Sequence, residues 1–562
     1  MKNLHIYLMT LMFITFSCNE LDLNPLSEGS SQSWYSNETE IEMSVNDLFR
    51  SVFWAQDGDD WTDDWTYRES LTPINNGTIN GEWGVLNDLW TLSYKNISRS
   101  NTILLNLDKV EGVIPQETVD KFRGNALFVR AAQYANLVAK FGDVIYFTGI
   151  LDLEESFTLS RTDKEVVMQA VYDDFDMAAS LLPESYGNSE NKFATKGAAY
   201  AMKARAALYN GDFAIARDAA KACMDLGVYE LYPDYGELFW SENKNTIESI
   251  FSMPRSTALN SFFGDCKNYI TRNNGGWAAK DPSWELLSAY LCTDGLPIDE
   301  SPLYDPSDPF SNRDPRLAET IVPFNTPHLG FIYQPHPDSL EVLNLNTGAY
   351  QKNNDTRSNA AFASFNGLVW KKGINSDWTD DFRAENEIII MRYADVLLMY
   401  AEAKIELDDI DQSVLDAINM VRARAYEVDY MDTGLYPAVV TTDQSELRKE
   451  VRLERRVELA FEGRRYMDII RWRLAEKVLN KDVYGMLDLG DLRTRIIDEG
   501  LWFFPQVTDI DEDGVANFDP MYQSGLIRRL AQREFDPERQ YLWPIPSKEV
   551  LINDNLSQNP NY

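Results

Sequence analysis

Residues 54–90 bring together side chains that suit the binding of a sugar. The stretch holds five of the chain's 14 tryptophans, separated by aspartate, asparagine and arginine. A sugar ring offers C–H faces that stack on flat aromatic rings, and its hydroxyls pair with planar polar groups. Aromatic rings interleaved with such groups therefore predict a shallow carbohydrate-binding surface.

Some residues of this stretch are better candidates for ligand contact than others. Two tryptophans lie in its most polar part, where burying an indole is hardest to explain, and a third stands beside two glycines. Trp90 instead falls in a helical repeat of apolar residues and is predicted to be core. For each loop ring the alternative is ordinary packing. The candidates for ligand contact are Trp61, Asp64, Trp65, Asn80 and Trp83.

A second set of candidates lies in the middle of the chain. Trp277 follows two glycines in NNGGWAAK, and Trp370 and Trp378 lie in LVWKKGINSDWTDDFR. Cys292 precedes a predicted turn that faces the same loops. Each of these residues is a candidate for ligand contact, with packing as the alternative. Trp284 begins a helical repeat and is predicted to be core.

An acidic stretch near the C-terminus follows the start of a calcium-binding loop. In DIDEDGVANFD the residues Asp509, Asp511 and Asp513 alternate and Gly514 follows them. Calcium loops place acidic oxygens at positions one, three and five and a glycine at six. Position twelve needs a bidentate carboxylate, but here it is Pro520. We therefore keep two interpretations, a calcium site and an acidic hairpin turn, and expect no other cofactor.

The sequence does not indicate an enzyme. It has no G-x-S-x-G elbow, no H-E-x-x-H and no phosphate-binding loop. Only two histidines remain beyond residue 17, so a histidine-based triad is hard to build. With 89 acidic residues, neighbouring carboxylates carry no information about glycosidase chemistry. We expect a binding protein.

The charge of the chain excludes one class of partner. Its 89 acidic and 52 basic residues give a formal net charge of −37. Such a chain repels phosphate backbones, so a nucleic-acid partner is not expected. A neutral ligand, such as an uncharged sugar, is neither attracted nor repelled by this negative charge.

The N-terminus predicts secretion and a lipid anchor. Residues 1–17 have a lysine and then an apolar run too short to span a bilayer, as in a signal peptide. Ser17 before Cys18 is the pattern of a bacterial lipoprotein, although Thr15 stands where leucine is usual. We predict lipid on Cys18 and an acidic linker over 18–33; the alternative is an ordinary signal peptide.

Beyond the linker the sequence predicts a single, mainly α domain over 34–562. Apolar residues recur at helical spacing in two blocks, about 85–227 and about 386–480. Each block holds an alanine-rich helix, a polar turn and a second helix, as in a tetratricopeptide pair. The regions of about 53–84, 228–385 and 481–562 are rich in Pro, Gly, Asn and Asp. They predict a loop-rich face with short strands, where binding residues concentrate.

One motif of the second block predicts structure rather than binding. In ERRVELAFEGRRYMDIIRW the charged residues Arg455, Glu458, Glu462 and Arg465 lie three or four apart. Side chains at that spacing pair along one helix face. We interpret the motif as an internal ion-pair network that fixes helix packing, with a ligand site as the alternative.

Seven segments in order resemble the SusD/RagB family of surface lipoproteins of Bacteroidetes. They are SCNELDLNP, RAAQYANLVAKFGDVIYF, RDPRL, RYADVLLMYAEA, INMVRARA, ERRVELAFEGRRYMDIIRW and the C-terminal segment that ends in QNPNY. The resemblance covers nearly the whole chain. It implies a SusD-like helical fold with tetratricopeptide pairs and a loop-rich face.

The same resemblance implies a role without catalysis. A protein of this family captures an oligosaccharide or polysaccharide at the cell surface. It acts as the lid of a SusC-like TonB-dependent transporter in the outer membrane and delivers the ligand to it. The chain is thus expected to be lipid-anchored and to face the cell exterior. Two alternatives remain, the same architecture capturing peptides and a helical-repeat adaptor with no role in transport.

Overall fold

A computed structural model describes residues 34–187 and 193–562 of the chain. The predicted signal peptide, Cys18 and the linker 18–33 lie outside the described residues. Within the part that is described, none of the helices combines the length and the apolar character needed to cross a membrane.

Helices form most of the regular structure, and the prediction of a mainly α fold is confirmed. The longer α-helices are Glu38–Leu48, Gly84–Asn106, Gln116–Phe141, Lys164–Leu181, Lys196–Asn210, Phe213–Met224, Tyr393–Glu406, Gln412–Ala425, Gln444–Glu458 and Arg465–Arg471. The short ones are Leu153–Ser156, Cys266–Tyr269, Trp284–Ala289, Pro315–Thr320, Asp377–Asp380, Ala475–Val478, Leu489–Leu492, Asp519–Gln523 and Ser547–Ile552.

The first predicted helix pair is Lys196–Asn210 with Phe213–Met224. Thr195 caps the first helix, because its hydroxyl accepts a hydrogen bond from the Ala198 amide at 3.1 Å. Gly211 ends the helix with φ at +87°, a left-handed conformation that glycine adopts without strain. The pairing of an alanine-rich helix with a second helix across this turn is therefore as predicted.

The two helical blocks meet although they are far apart in sequence. Helix Phe213–Met224 of the first block packs against helix Tyr393–Glu406 of the second. On either side of this contact, consecutive helices pack on one another from Gly84–Asn106 to Gln444–Glu458. The blocks thus form one continuous helical array, with residues 228–385 inserted between them.

The strands are short and lie outside the helical array. A four-stranded antiparallel sheet is formed by Thr326–His328, Phe331–Tyr333, Glu341–Asn344 and Ala349–Lys352. The other strands form antiparallel pairs: Trp65–Tyr67 with Lys280–Pro282, Ser249–Met253 with Ile388–Arg392, Asp482–Gly485 with Arg528–Gln532, and Asp509–Ile510 with Ala516–Asn517.

A buried network of ion pairs ties the loop regions to the second block. Glu458 accepts from Arg316 at 2.9 Å, from Arg392 at 2.6 Å and also from Arg424. Burial alone raises the pKa of Glu458, but Arg424, Arg392 and Arg316 outweigh it and hold the pKa well below its usual range. The interpretation of this motif as a structural network is therefore confirmed.

The partners in this network differ from the predicted ones. Arg455 pairs with Asp395 at 2.9 Å and with Asp468 at 3.0 Å, and Arg465 pairs with Asp63 at 2.9 Å. The prediction of pairs along one helix face is wrong, because the chain turns between the two helices of the motif. The network instead joins separate elements.

Candidate binding surface

Three exposed aromatic residues on the loop-rich side of the molecule lie on segments that Arg68 joins, since it follows Tyr67 in the chain and donates to the carbonyls of Trp277 and Phe362. Trp277 is 48% exposed, Phe362 is 59% exposed and Tyr67 is 36% exposed. We call these three residues the aromatic platform. Several exposed aromatic residues in one region are candidates for contact with a ligand or a partner, whereas single exposed rings are ordinary. The platform is therefore the candidate site.

Tyr67 reaches the platform at the outer end of a short strand. Strand Trp65–Tyr67 pairs with Lys280–Pro282 in antiparallel register, with Tyr67 opposite Lys280. The rings of Trp65 and Tyr67 lie on one side of the strand, with centroids 6.0 Å apart. Trp65 is buried while Tyr67 is partly exposed, because the strand runs from the core to the surface.

Asp64 fixes the start of this strand instead of contacting a ligand. Its carboxylate accepts from Arg456 at 2.6 Å, and the neighbouring Asp63 accepts from Arg465 at 2.9 Å. Both carboxylates are buried, so the prediction of Asp64 as a ligand contact is wrong. The ion pairs anchor the chain immediately before Tyr67 and so position the platform.

A tight turn presents Trp277. Its amide donates to the Lys267 carbonyl at 2.6 Å, and the next amide, of Ala278, donates to the Ile270 carbonyl at 3.0 Å. A side chain at Gly276 would lie 2.3 Å from the Ile270 carbonyl oxygen, so only glycine permits this close approach. The backbone of Trp277 is thus held on both sides, which lowers the entropy cost of binding.

Two arginines join the segments of the platform. Arg68 donates to the carbonyls of Trp277 at 3.2 Å and of Phe362 at 3.4 Å. Arg272 donates to the same two carbonyls at 3.2 and 3.3 Å. The Arg68 guanidinium also lies 5.4 Å from the centre of the Phe362 ring. Rings and cationic donors therefore share one surface.

Two buried carboxyl groups lie beneath the arginines. Asp355 accepts from the backbone amide of Arg272 at 2.6 Å, and burial raises the pKa of Asp355 to about 6. Burial raises the pKa of Asp281 well above its usual range, which favours the uncharged form. These groups support the surface from below without covering its rings.

Trp61 and Trp65 do not form part of the exposed surface. Trp61 is 7% exposed, and its ring centroid lies 5.4 Å from that of Tyr466 and 5.3 Å from that of Trp543. Trp65 belongs to a second buried cluster. The predictions of Trp61 and Trp65 as ligand contacts are wrong. The polar neighbours that argued for exposure are themselves buried in ion pairs.

We expect Trp61→Ala to destabilise the protein rather than to remove a ligand contact. Truncating a buried tryptophan typically costs about 3–5 kcal/mol in the free energy of unfolding. Urea denaturation of the variant should show this loss. The matched control is Trp277→Ala, which removes an exposed indole and should leave the free energy of unfolding within about 0.5 kcal/mol. Equal stability of the two variants would contradict the assignment of Trp61 to the core.

Trp83 and Asn80 belong to a loop that is bound to the C-terminal segment. The half-buried Trp83 ring lies 5.2 Å from the centre of Trp543, and the amide of Ser547 donates to Gly81 at 2.9 Å. Asn80 is exposed, and its side chain accepts from the Glu82 amide at 2.9 Å. Within the described residues no hydrogen bond joins this loop to the turn that carries Trp277. The loop is tied to the C-terminal segment, and a role of Asn80 or Trp83 in ligand contact stays a prediction.

The remaining mid-chain candidates are buried. Trp370 stacks on Phe461 with centroids 4.3 Å apart, and the thiol of Cys292 is enclosed, so burial raises its pKa. Trp378 donates to Asn386 at 2.8 Å. The predictions of Trp370 and Cys292 as ligand contacts are wrong, because both side chains are fully buried. The role of Trp378 as a ligand contact stays a prediction.

Trp378 nevertheless lines a cleft of about 980 Å³. Trp240, which is 37% exposed, stands in the wall of the same cleft. The charged groups at this position are largely satisfied within the protein. Lys372 pairs with Glu462 at 2.6 Å, and Arg255 donates to the Asn386 carbonyl at 3.3 Å. Lys372 is thus satisfied within the protein, whereas Arg255 has no carboxylate partner among the described residues, so the cleft remains a second candidate surface.

The acidic C-terminal stretch forms a hairpin. Strands Asp509–Ile510 and Ala516–Asn517 pair, and the ammonium of Lys477 lies 2.8 Å from Asp511 and 2.5 Å from Asp513. Among the residues of 34–187 and 193–562, no group of three or more acidic, cysteine or histidine side chains is arranged to hold a metal. The calcium site predicted at Asp509, Asp511 and Asp513 is therefore wrong, and the alternative of an acidic turn fits.

Trp277 and the arginine of the stretch 54–90, Arg68, belong to the surface that the sequence predicts. Tyr67, Arg272 and Phe362 were not predicted. Tyr67 lies two residues after Trp65, so the length of the strand is the signal that identifies it. Nothing in the sequence distinguishes Phe362 from the other 26 phenylalanines.

A helical-repeat scaffold that carries an aromatic and cationic surface on its loops is the architecture of a binding protein. A family model described as the SusD family matches residues 248–562. Another, described as starch-binding associating with outer membrane, matches residues 25–208. The chain belongs to the SusD family, and the resemblance seen in the sequence is confirmed.

Individual relatives agree with this assignment. SusD-like protein P2 of Formosa agariphila is 24% identical over 599 residues, which cover 100% of both chains. A SusD-like carbohydrate-binding protein of Bacteroides fragilis has a structure with a TM-score of 0.76 and 27% identity, covering 93% of this chain and 99% of its own. A laminarin-binding SusD-like protein, at 20% identity and a TM-score of 0.64, covers 94% of this chain and 100% of its own and shares the fold.

Proposed function

We propose that this protein captures a glycan at the cell surface and delivers it to a SusC-like TonB-dependent transporter of the outer membrane. The ligand is an oligosaccharide or polysaccharide, bound at the aromatic platform without chemical change. Membership of the SusD family supports this role. The protein then acts as the lid of its transporter.

The observation that carries the proposal is the exposed indole of Trp277, whose backbone carbonyl accepts from the guanidiniums of Arg68 and Arg272. An indole face suits the C–H face of a sugar, and the donors of Arg68 and Arg272 suit its oxygen atoms. The turn that holds Trp277 is fixed by its own backbone hydrogen bonds. A shallow, preformed surface of this kind gives the moderate affinity that a protein needs when it must hand its ligand on.

Calorimetric titration of the lipid-free protein against a panel of plant, algal and microbial glycans tests the proposal. We expect binding to one glycan class. A second titration uses the protein co-purified with its transporter, because closure over the barrel adds contacts. Glycan capture would be contradicted if neither preparation bound any glycan of the panel. Release of a bound peptide from the complex would contradict it as well.

We propose further that lipid on Cys18 tethers the chain to the outer membrane. Cys18→Ala should move the protein from the membrane fraction to the soluble fraction, because the apolar run before it is too short to span a bilayer. Cell fractionation and surface proteolysis measure this. The matched control is Cys223→Ala, which removes a thiol that lies in the core. Membrane attachment of the Cys18→Ala protein would contradict the tether.

A further inference from the structure

The aromatic platform lies beside a concentration of positive charge in a strongly acidic protein. The chain carries a formal net charge of −37. Yet Arg68, Arg357 and Arg528 surround one ring, with guanidinium carbons 6.0, 5.0 and 5.2 Å from the centre of Phe365. Arg272 shares two carbonyl acceptors with Arg68. We call these four residues the arginine cluster.

Two members of the cluster have no counter-ion. Within the described residues, neither Arg68 nor Arg272 has a carboxylate oxygen within 4.0 Å. Their guanidiniums instead converge on the same two carbonyl oxygens, so two like charges lie side by side. Burial and the charge of Arg68 lower the pKa of Arg272. Repulsion between the two guanidiniums costs free energy, and an anion bound between them would remove that cost.

The other two members are only loosely paired. Arg357 pairs with Asp488 at 3.1 Å, and Arg528 pairs with Glu69 at 3.1 Å and with Asp488 at 3.2 Å. Both carboxylates are exposed, and ion pairs of that kind are weak in water. In the part of the chain that is described, the buried Nε groups of Arg68, Arg357 and Arg528 have no hydrogen-bond acceptor. A buried donor without an acceptor costs free energy, so the surrounding protein does not fully satisfy the cluster.

The carboxyl groups beneath the cluster do not cancel its charge. Burial raises the pKa of Asp281 well above its usual range and that of Asp355 to about 6. Near neutral pH, Asp355 supplies one negative charge below the surface, against two unpaired guanidiniums above it. The local balance remains positive.

The net charge of the whole chain does not decide what binds at this position. At physiological ionic strength the fields of exposed charges are screened over about 8 Å. An anion at the platform therefore responds mainly to the arginine cluster within that range. The remaining acidic surface slows the approach of an anion but does not prevent the contact.

We propose that the aromatic platform takes an acidic glycan, with an anionic group of the sugar bound between Arg68 and Arg272. This inference rests on the proposed function and specifies its ligand class. The anionic group is the carboxylate of a uronic acid or a sulfate ester, since guanidinium forks bind both. A sugar that stacks on Trp277 brings a ring substituent to the guanidiniums, because both donate to the carbonyl of that same residue.

The test is calorimetric titration of the lipid-free protein with three matched sets of oligosaccharides. One set is neutral β-glucan, one is oligogalacturonate and one is sulfated galactan. Each set is titrated at low and at high ionic strength. We expect one or both acidic sets to bind, with affinity that falls as salt rises, because the contact is between charges. The arm that binds identifies the carboxylate or the sulfate ester.

Variants locate the contact. Arg68→Gln and Arg272→Gln should each weaken binding of the acidic set by about tenfold to a hundredfold, the typical loss of a charged hydrogen bond. The matched control is Arg217→Gln on helix Phe213–Met224 of the scaffold, which should leave affinity unchanged. If a glutamine variant fails to fold, Arg272→Lys and the salt dependence of the unaltered protein still report on charge.

The outcomes separate this inference from the proposed function. Binding of the neutral set alone, lost in Trp277→Ala but unchanged in both glutamine variants, would overturn the acidic ligand class and leave glycan capture standing. Binding of an acidic set that is indifferent to salt and to both glutamine variants would also overturn it. If none of the three sets binds, either to the protein alone or to its complex with the transporter, both glycan capture and this inference are overturned.

Discussion

Replacing Trp277 by alanine is expected to abolish measurable glycan binding while the protein stays folded. Trp277 is the most exposed tryptophan of the described chain, and its turn is fixed before a ligand arrives. Removing a central aromatic contact typically costs about 2–4 kcal/mol of binding free energy, a loss of about thirtyfold to a thousandfold in affinity. Titration of the variant with the glycan that binds best measures this loss.

A second tryptophan supplies the control for that experiment. Trp240 is partly exposed in the wall of the 980 Å³ cleft, away from the turn that presents Trp277. Trp240→Ala should leave glycan affinity unchanged if the platform is the binding surface. The reverse result, with binding lost in Trp240→Ala and kept in Trp277→Ala, would move the site to the cleft.

Removing Glu458 is expected to cause a large loss of stability, comparable with that of Trp61→Ala. The carboxylate contacts Arg316, Arg392 and Arg424, and all four groups are buried. Glu458→Ala leaves three guanidiniums without this partner, and breaking a buried ion pair on one side typically costs about 3–5 kcal/mol. Chemical denaturation with urea measures the change in the free energy of unfolding.

The control for Glu458 lies on the same helix. Glu446 is exposed, pairs only with Lys449 among the described residues, and its replacement by alanine should change stability by no more than about 0.5 kcal/mol. A loss below 1 kcal/mol in Glu458→Ala, similar to that of the control, would show that the network does not stabilise the fold.

The same network predicts how stability depends on pH. The arginines hold the pKa of Glu458 below its unfolded value, so its ionised form stabilises the native state at and above neutral pH. That contribution is complete above the unfolded pKa of about 4.3 and is lost as pH falls toward the folded pKa. Glu458→Gln should therefore flatten the acid limb of a stability profile relative to the unaltered protein.

The helical scaffold could be predicted from the sequence because the patterns that specify it are local and occur more than once. The alanine-rich helix before Gly211 and its partner follow a 3.6-residue period with a glycine at the turn, and both helices form as predicted. The network around Glu458 was recognisable from charge spacing, but its partners Arg316 and Arg392 lie far away in sequence. Their contacts depend on the tertiary fold, which no local spacing specifies.

The candidate binding surface was much harder to predict from the sequence. Trp61 and Trp370 look exposed because polar residues flank them, yet those flanking groups are satisfied inside the protein. Trp277, a predicted ligand contact, does lie on the surface, in a tight turn that Gly276 permits. Phe362 and Arg272 join the platform through loops whose paths depend on long-range contacts. The composition of the loops therefore indicates a surface of aromatic and polar side chains. It does not show which of those residues are exposed to a ligand.

The position of the inserted region has a consequence for how this protein diversifies. Residues 228–385 enter and leave the helical array beside one another, where strands Ser249–Met253 and Ile388–Arg392 pair. Because the two ends of this segment are adjacent, it can act as a cassette. Exchange of the cassette between paralogues would not require the flanking helices to shift. Any exchanged cassette must keep Glu248, Arg316 and Lys372, because all three enter the ion-pair network of the scaffold. Trp277 and Phe362 are not among these anchors, so ligand preference is free to change while the anchors stay fixed.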